Sequence, residues 1–389
     1  MKTIKVLHVS SGNLYGGVEQ TLVTLVRERD CVPELARRFA LCFAGRASEE
    51  IGAFGEPCTI LGDVRVRYPW QILKVRARLA ELLRREPVDV VICHMPWNYA
   101  LFGPVARRAG VPAVLWLHDA GTGQHWLERW AALHPPDLVV CNSRFTAETL
   151  PKVFPGPRTP PHVVIHPPVS PGAILLAPDE RAAVRAEFDT SPSACVIVQV
   201  SRMEPYKGHR LHLDALARLK DVPGWVYWVV GGVQRVHERE YLEQLREQAA
   251  RAGIADRVRF LGERRDVRRV LAAADIFCQP NVRGEPYGVV FIEALQAGLP
   301  VVATALGGAL EIVDATCGQL VPSADPVALA EGLRELITDA NARTRLGRAG
   351  PPRAETLSAP QLILSQLYSA LAERIAGLSD LPLSPSLPS

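Results

Sequence analysis

The sequence predicts an α/β protein built from two domains, each with a parallel sheet. Three observations carry that expectation. Short apolar runs of the kind that fill a doubly covered parallel strand recur along the chain, separated by helical segments. This alternation starts twice, near residue 5 and again near residue 195. Between the two starts, residues 151–178 are dominated by proline and glycine, and the interdomain boundary belongs near 168–178. A chain of 389 residues suits two such domains better than one core.

Composition excludes several classes. An apolar fraction of 48% describes a soluble globular protein. No stretch approaches the length of apolar chain that crosses a membrane. The N-terminus enters a strand at once, which predicts a chain without a signal peptide. Eight cysteines are scattered, none as Cys-x-x-Cys, and several lie inside apolar runs. They read as reduced, buried thiols in a cytoplasmic protein. Net charge is only +3 but uneven, since residues 1–168 carry 20 Lys and Arg against 15 Asp and Glu. No nucleic-acid motif accompanies this basic half, so no nucleic-acid partner is expected. An anionic membrane surface, bound peripherally, or an anionic acceptor fits better.

In the first domain, residues 5–10 read as a strand, 11–17 as a glycine-rich loop and 18–26 as a helix. The loop lacks Gly-x-Gly-x-x-Gly, which argues against a dinucleotide. Gly16 and Gly17 serve either a tight turn or close approach of a ligand. Residues 41–43 look like the next strand. Residues 70–86 form an amphipathic helix whose Lys74, Arg76, Arg78, Arg84 and Arg85 offer a basic face for an anionic membrane. Strands at 88–94 and 111–119 follow, and the second ends in His118-Asp119, at the edge where parallel sheets bind ligands. The strand at 138–143 carries Asn142 and Ser143 at its tip, and Ser143 caps a helix over 144–150. Residues 163–169 close the domain.

The second domain opens with a helix at 181–188 and a strand at 195–200. The loop after that strand holds two cations, Arg202 and Lys207, suited to a diphosphate. A helix over 209–219 bears His209 and His212, which read as structural because no acidic or thiol partner lies at ligand spacing. Strands at 225–232 and 258–262 and helices at 241–252 and 270–274 lead into residues 283–308. There a polar entry ends at Gly288, and a helix begins with Val289, Val290 and Phe291. Gly298 stops it, and residues 300–304 form a buried strand before Gly307-Gly308. A helix start favours phosphate. The carboxylates Glu285 and Glu293 are suited to sugar hydroxyls. Together they describe a nucleotide-sugar site. Residues 360–377 are helical, and 378–389, rich in Pro, Ser and Leu, read as a disordered tail.

The ordered string Glu285, seven residues, Glu293, then Ala-Gly-x-Pro-Val-Val-Ala and Gly-Gly-x-x-Glu resembles the donor-site signature of family 4 retaining glycosyltransferases (group 1) of the GT-B fold. The resemblance is specific over residues 195–340 and looser over 5–170. It implies two Rossmann-like domains, 1–170 for the acceptor and 171–359 for the donor, facing a central cleft. The C-terminal helix at about 360–377 would cross back to the first domain. It also implies roles: His118 and Glu285 at the reaction centre; Arg202, Lys207, Gly288, Val289, Val290 and Glu293 on the donor. Gly16 and Gly17 would touch donor phosphate or acceptor, with Asn142 and Ser143 as further candidates. His166-Pro167 stands where the family often has Asn-Gly.

The expected activity is retaining transfer of a sugar from a nucleoside-diphosphate sugar to a sugar or lipid-linked acceptor, in cell-surface polysaccharide or glycolipid synthesis. No cofactor and no metal are expected, and the chain contains no Asp-x-Asp. A front-face mechanism is implied by the resemblance alone. The competing readings are a phosphorylase or nucleotide-sugar epimerase on the same fold, and a silent nucleotide-sugar-binding scaffold.

Overall fold

Apolar runs of four to seven residues, each ending in glycine or a polar turn, fold as strands whose two faces are both covered. The computed structural model describes residues 2–379 except 14, 173 and 234. It divides into two units, one of residues 1–170 and 360–389, the other of 171–359.

In the first unit the strands are β1 (Ile4–Ser10), β2 (Leu35–Leu41), β3 (Cys58–Ile60), β4 (Val90–His94), β5 (Ala113–Leu117), β6 (Leu138–Cys141) and β7 (His162–Val164). They pair in parallel in the order β3-β2-β1-β4-β5-β6-β7. The order reverses between β1 and β4, which opens a crevice at the C-terminal ends of those strands. One face of the sheet packs Val75 and Leu79 from the helix Pro69–Arg85 with Tyr99 and Phe102. The other packs Leu22 and Leu25 from the helix Gly17–Arg27. The last helix, Pro360–Ser379, adds Ile363, Leu364, Leu367 and Leu371 to that second face. The Tyr368 hydroxyl donates to the Lys2 carbonyl at 2.7 Å, tying this helix to the start of the chain.

The second unit repeats the pattern. Strands β8 (Cys195–Val200), β9 (Trp225–Val230), β10 (Val258–Gly262), β11 (Ile276–Gln279), β12 (Val301–Thr304) and β13 (Gly318–Val321) pair in parallel in the order β10-β9-β8-β11-β12-β13. Its reversal falls between β8 and β11.

Several expected elements shift. The strand expected at 41–43 is β2, which ends at Leu41 and begins at Leu35. Arg37 and Arg38 interrupt its apolar pattern, yet Arg37 is buried and donates to the Arg29 carbonyl. The helix expected over 144–150 is two short turns, Arg144–Ala147 and Leu150–Val153. The strand expected over 163–169 stops at Val164, ahead of Pro167 and Pro168, which have no N–H to donate. The helix expected from 241 begins at Val236. The last helix reaches Ser379, so the expected tail starts later, and residues 380–389 lie outside the described residues.

Residues 326–358, to which the sequence assigns no element, form the helices Pro326–Thr338 and Ala340–Ser358. The second contains Pro351 and Pro352, ordinarily helix breakers. It packs closely on the helix Val289–Gln296. A Cβ at Gly350 would come within 2.6 Å of the Leu295 carbonyl oxygen, and one at Gly347 within 2.2 Å of that of Gly298.

The basic face of Pro69–Arg85 is also smaller than the spacing implies. Arg76 donates to the Leu101 and Ala100 carbonyls and lies over the Trp130 ring. Arg78 donates to the Leu61 carbonyl, and Arg84 and Arg85 both pair with Glu81. Among the described residues no helix is long and apolar enough to cross a membrane.

Candidate functional site

The second unit concentrates its charge where the strand order reverses. The loop after β8 brings Arg202 and Lys207, and the loop after β11 brings Asn281, Glu285 and Gly288. Lys207 Nζ lies 2.6 Å from Glu285 Oε2, and Asn281 Nδ2 donates to the same oxygen at 2.7 Å. Lys207 and Glu285 are both about nine-tenths buried. Burial works against the Lys207 ammonium, but the Glu285 carboxylate and Tyr206 outweigh it and hold its pKa above the ordinary lysine value. Two residues expected to grip different parts of a ligand therefore grip each other, leaving Glu285 Oε1 for another donor. Arg202 lies 3.0 Å from Glu204 in an ion pair.

Glycines hold these loops in place. Gly208 has φ +77°, and a Cβ there would lie 1.7 Å from the Pro280 carbonyl oxygen, so Lys207 can approach the β11 loop only next to glycine. Gly307 and Gly308 clamp the Glu285 segment: the Gly308 N–H donates to the Glu285 carbonyl at 2.7 Å, and Cβ atoms at these positions would strike Glu285 and Tyr287 backbone. Gly288, at φ +95°, turns the chain into the helix Val289–Gln296. The first N–H groups of that helix, on Val289 and Val290, have no intrahelical acceptor.

Glu293 stands on this helix. Its carboxylate makes no hydrogen bond to another described residue, and burial pushes its pKa up to about 7, against the opposing charge of Arg268. The histidines of the helix His209–Ala217 serve the scaffold. His209 Nε2 meets Ser201 Oγ at 3.1 Å, and His212 Nδ1 meets Gln199 Oε1 at 2.9 Å. Gln199 Nε2 in turn donates to the Lys207 carbonyl at 2.8 Å, which fixes the lysine's loop. Among the described residues no cluster of His, Cys, Asp or Glu could hold a metal ion.

The first unit carries a different chemistry at the C-terminal edge of its sheet. His118 follows β5 directly, is 9% exposed, and burial lowers its pKa to about 3, so the ring is neutral. Asn142 Nδ2 donates to the His118 carbonyl at 3.1 Å, while Asn142 Oδ1 accepts from Thr146. Ser143 Oγ accepts the Thr146 N–H at 3.0 Å, as a cap does. Asn142 thus braces the turn that carries His118, and Ser143 caps the helix Arg144–Ala147. Gly16 and Gly17 behave unlike the glycines of the second unit. Gly16 is extended at φ −161°, a Cβ there would have only the Glu19 carboxylate at 3.9 Å, and one at Gly17 would meet nothing within 4 Å. Among the described residues no packing contact requires glycine at either position.

Sequence reasoning missed Asn281, Gln199, His8 and His94. Asn281 sits two residues ahead of the stretch singled out, and His94 ends a strand just as His118 does, so the same strand-end signal pointed to it. Nothing local marks Gln199 or His8, which lie inside apolar strands.

Residues 15–172 match the model of Glycosyltransferase Family 4, and residues 181–353 match that of Glycosyl transferases group 1. The chain is 29% identical over 355 residues to a GDP-mannose-dependent alpha-(1-6)-phosphatidylinositol monomannoside mannosyltransferase of Mycolicibacterium smegmatis, covering 86% of this chain and 89% of that one. It is 36% identical over 198 residues to a D-inositol 3-phosphate glycosyltransferase of Mycolicibacterium gilvum, covering 50% and 43%. The fold matches the crystal structure of Anabaena HepE in complex with UDP and glucose at a TM-score of 0.84 and 22% identity, over 95% of this chain and all of that one. With one model on each half and this two-sheet architecture, the chain belongs to the group 1, family 4 glycosyltransferases of the GT-B fold.

Proposed function

We propose that the chain moves a sugar from a nucleoside-diphosphate sugar to a hydroxyl of a lipid-linked acceptor, with retention and without a metal. The observation that carries this reading is the buried Lys207–Glu285 pair beside the start of the helix Val289–Gln296. Lys207, Arg202 and the N–H groups of Val289 and Val290 bind the diphosphate and stabilise the charge that grows on it as it leaves. Gly288 lets the backbone come close. Glu293 accepts hydrogen bonds from the ribose hydroxyls, and Glu285 Oε1 from those of the transferred sugar. His118 contacts the same sugar, and the open loop at Gly16 and Gly17 receives phosphate or acceptor. In the front-face step the acceptor oxygen bonds to the anomeric carbon, the bond to the diphosphate breaks, and the acceptor's proton passes to the departing phosphate oxygen.

Thermal shift against UDP-, GDP-, ADP- and dTDP-sugars, with and without EDTA, tests this reading. Stabilisation by one nucleotide class that survives EDTA is expected. Stabilisation abolished by EDTA removes the metal-free reading, and no shift with any of them removes the donor site.

A lipid-linked acceptor is supported by the phosphatidylinositol mannoside in the mycobacterial relative's name and by a surface of the first unit. Trp70, Leu73 and Trp126 are 63%, 66% and 52% exposed. Trp126 stacks on Trp130, which lies under Arg76, and Trp70 meets Tyr68, under Arg67. Exposed Arg65, Arg67 and Lys74 surround them. Such a surface fits the peripheral face of an anionic bilayer, where tryptophan sits at the headgroups. Trp70→Ser with Leu73→Ser is expected to lower cosedimentation with phosphatidylglycerol vesicles about tenfold. Unchanged cosedimentation would remove the membrane reading.

A further inference from the structure

Three histidines of the first unit form a string across the point where its strand order reverses. His8 Nδ1 lies 3.0 Å from His94 Nε2, and His94 Nδ1 lies 2.8 Å from His118 Nε2. They come from β1, β4 and the residue after β5, which neighbour one another in the sheet. All three are buried, His8 and His94 completely. Aromatic rings hold them in place. Phe39 stacks on His8 at 5.3 Å between centroids, and Trp116 stacks on both His94 and His118 at 5.4 Å. Met95, directly after His94, keeps φ +76°, a conformation unfavourable for a side chain of its kind. The string is linear, with one nitrogen of each ring spent on the next, so the nitrogens do not converge as metal ligands would.

A neutral imidazole has one N–H and one lone pair, so the string can run in only two senses. In one, His8 carries its proton on Nε2, the N–H groups point from His118 toward His8, and His118 Nδ1 is left as a lone pair. In the other, His8 Nδ1–H donates to His94, His94 Nδ1–H donates to His118, and His118 is left with its proton on Nδ1. The free end decides between them. His8 Nε2 is buried and has no hydrogen-bond partner among the described residues. A buried orphan N–H is rarer in folded proteins than an under-satisfied acceptor. The positive charge of Arg37, which reaches the string from β2 on the side away from β4, also favours a lone pair over a proton at that end. Burial opposes charging any of the rings and holds the His8 and His118 pKa values at about 3. The charged or titratable groups that act on the string are its own rings and Arg37.

We propose that His8 and His94 are positioning residues that set the tautomer of His118, so that His118 stays neutral and presents Nδ1–H as a hydrogen-bond donor at the C-terminal edge of the first sheet. The functional half of this proposal rests on His118 being a donor-site residue. A neutral donor there recognises an oxygen lone pair, on a sugar hydroxyl or a phosphoryl group, and is not a general base at neutral pH. Removing His94 frees the His118 ring to take the opposite tautomer and to turn.

Long-range nitrogen–proton correlation spectra of the full chain, labelled at histidine, test the assignment without any substitution. The three rings are identified by the signals lost in His8→Gln, His94→Gln and His118→Gln. The expected result is a protonated Nδ1 and an unprotonated Nε2 on His118 at every pH from 5 to 8. A proton on Nε2, or an imidazolium in that range, overturns the proposal. In His94→Leu the His118 proton is expected to move to Nε2, with kcat falling about tenfold or more and the KM for donor changing less. His94→Gln, whose amide can donate to His118 Nε2, is expected to recover part of the loss. If His118 keeps its proton on Nδ1 in His94→Leu, the string does not set the tautomer and the proposal fails. If the tautomer moves as expected but transfer is unaffected in both His94→Leu and His118→Gln, the tautomer assignment stands and the reading of His118 as a donor-site residue fails.

Discussion

The two units share one topology and use it for opposite electrostatics. Each reverses its strand order after the first strand, and each gathers polar side chains around that reversal. The second unit puts formal charge there: Lys207 buried against Glu285, Arg202 beside Glu204, and Glu293, whose carboxylate feels the charge of Arg268 and hydrogen-bonds no other described residue. The first unit puts three neutral imidazoles there and a glycine loop whose Cβ positions are open. The glycines differ in the same sense. Gly208, Gly307 and Gly308 of the second unit are filled up to the Cβ by neighbouring backbone, and Gly16 and Gly17 are not. One scaffold thus carries paired formal charges in one unit and neutral imidazoles in the other.

The largest expected effect breaks the charged half. Lys207→Ala removes the cation proposed to hold the leaving diphosphate and leaves Glu285 buried without its counter-charge. Transfer is expected to fall about 100-fold or more. Stability in urea is expected to drop by about 3–5 kcal/mol, the typical cost of orphaning a buried ion. A variant of unchanged stability would mean that the pair is not formed in solution.

The glycines sharpen the comparison with a smaller effect. Gly208→Ala drives a Cβ into the Pro280 carbonyl at a positive φ and is expected to cost about 2–4 kcal/mol. Gly17→Ala meets nothing within 4 Å and is expected to leave stability unchanged to within about 0.5 kcal/mol. A clear loss of transfer in Gly17→Ala would then report a ligand coming close to that loop. Full activity would show that the loop is not approached.

The smallest effect concerns pH. Burial raises the Glu293 pKa to about 7, above the ordinary carboxylate value it has in the unfolded chain. The native state therefore binds this proton more tightly than the unfolded state, and the carboxylate costs stability as pH rises from about 4.5 through 7. Glu293→Gln is expected to be more stable than the parent above pH 7, by about 1–3 kcal/mol in urea titrations. The two curves should converge below about pH 4.5. A gap independent of pH would place the Glu293 carboxyl in water.

Much of this contrast was legible in the chain. Arg202, Lys207 and Glu285 were singled out because the strand–loop–helix rhythm marks strand ends, and Glu293 because it stands on the helix that follows Gly288; the structure places them on those loops and that helix. His118 was found in the same way. The pairing of Lys207 with Glu285 was not legible. Seventy-eight positions separate them, and only the adjacency of β8 and β11 brings their loops together. The engagement of Arg76 with the Ala100 and Leu101 carbonyls was equally hidden, because helical spacing places a side chain on a face without saying what covers that face.

Local pattern was enough for the alternation of strand and helix, the two sheets and the break between them, because a period in the chain maps directly onto backbone geometry. Packing across the chain was needed for the rest. It holds Ala340–Ser358 helical through Pro351 and Pro352, since Gly347 and Gly350 let that helix lie directly on the backbone around Leu295 and Gly298. It also joins His8, His94 and His118 into one string, since β1 pairs with β4 and β4 with β5. The sequence specifies which side chains reach the edge of each sheet. The order of strands decides which of them meet, because contact depends on neighbours in space that lie tens of residues apart along the chain.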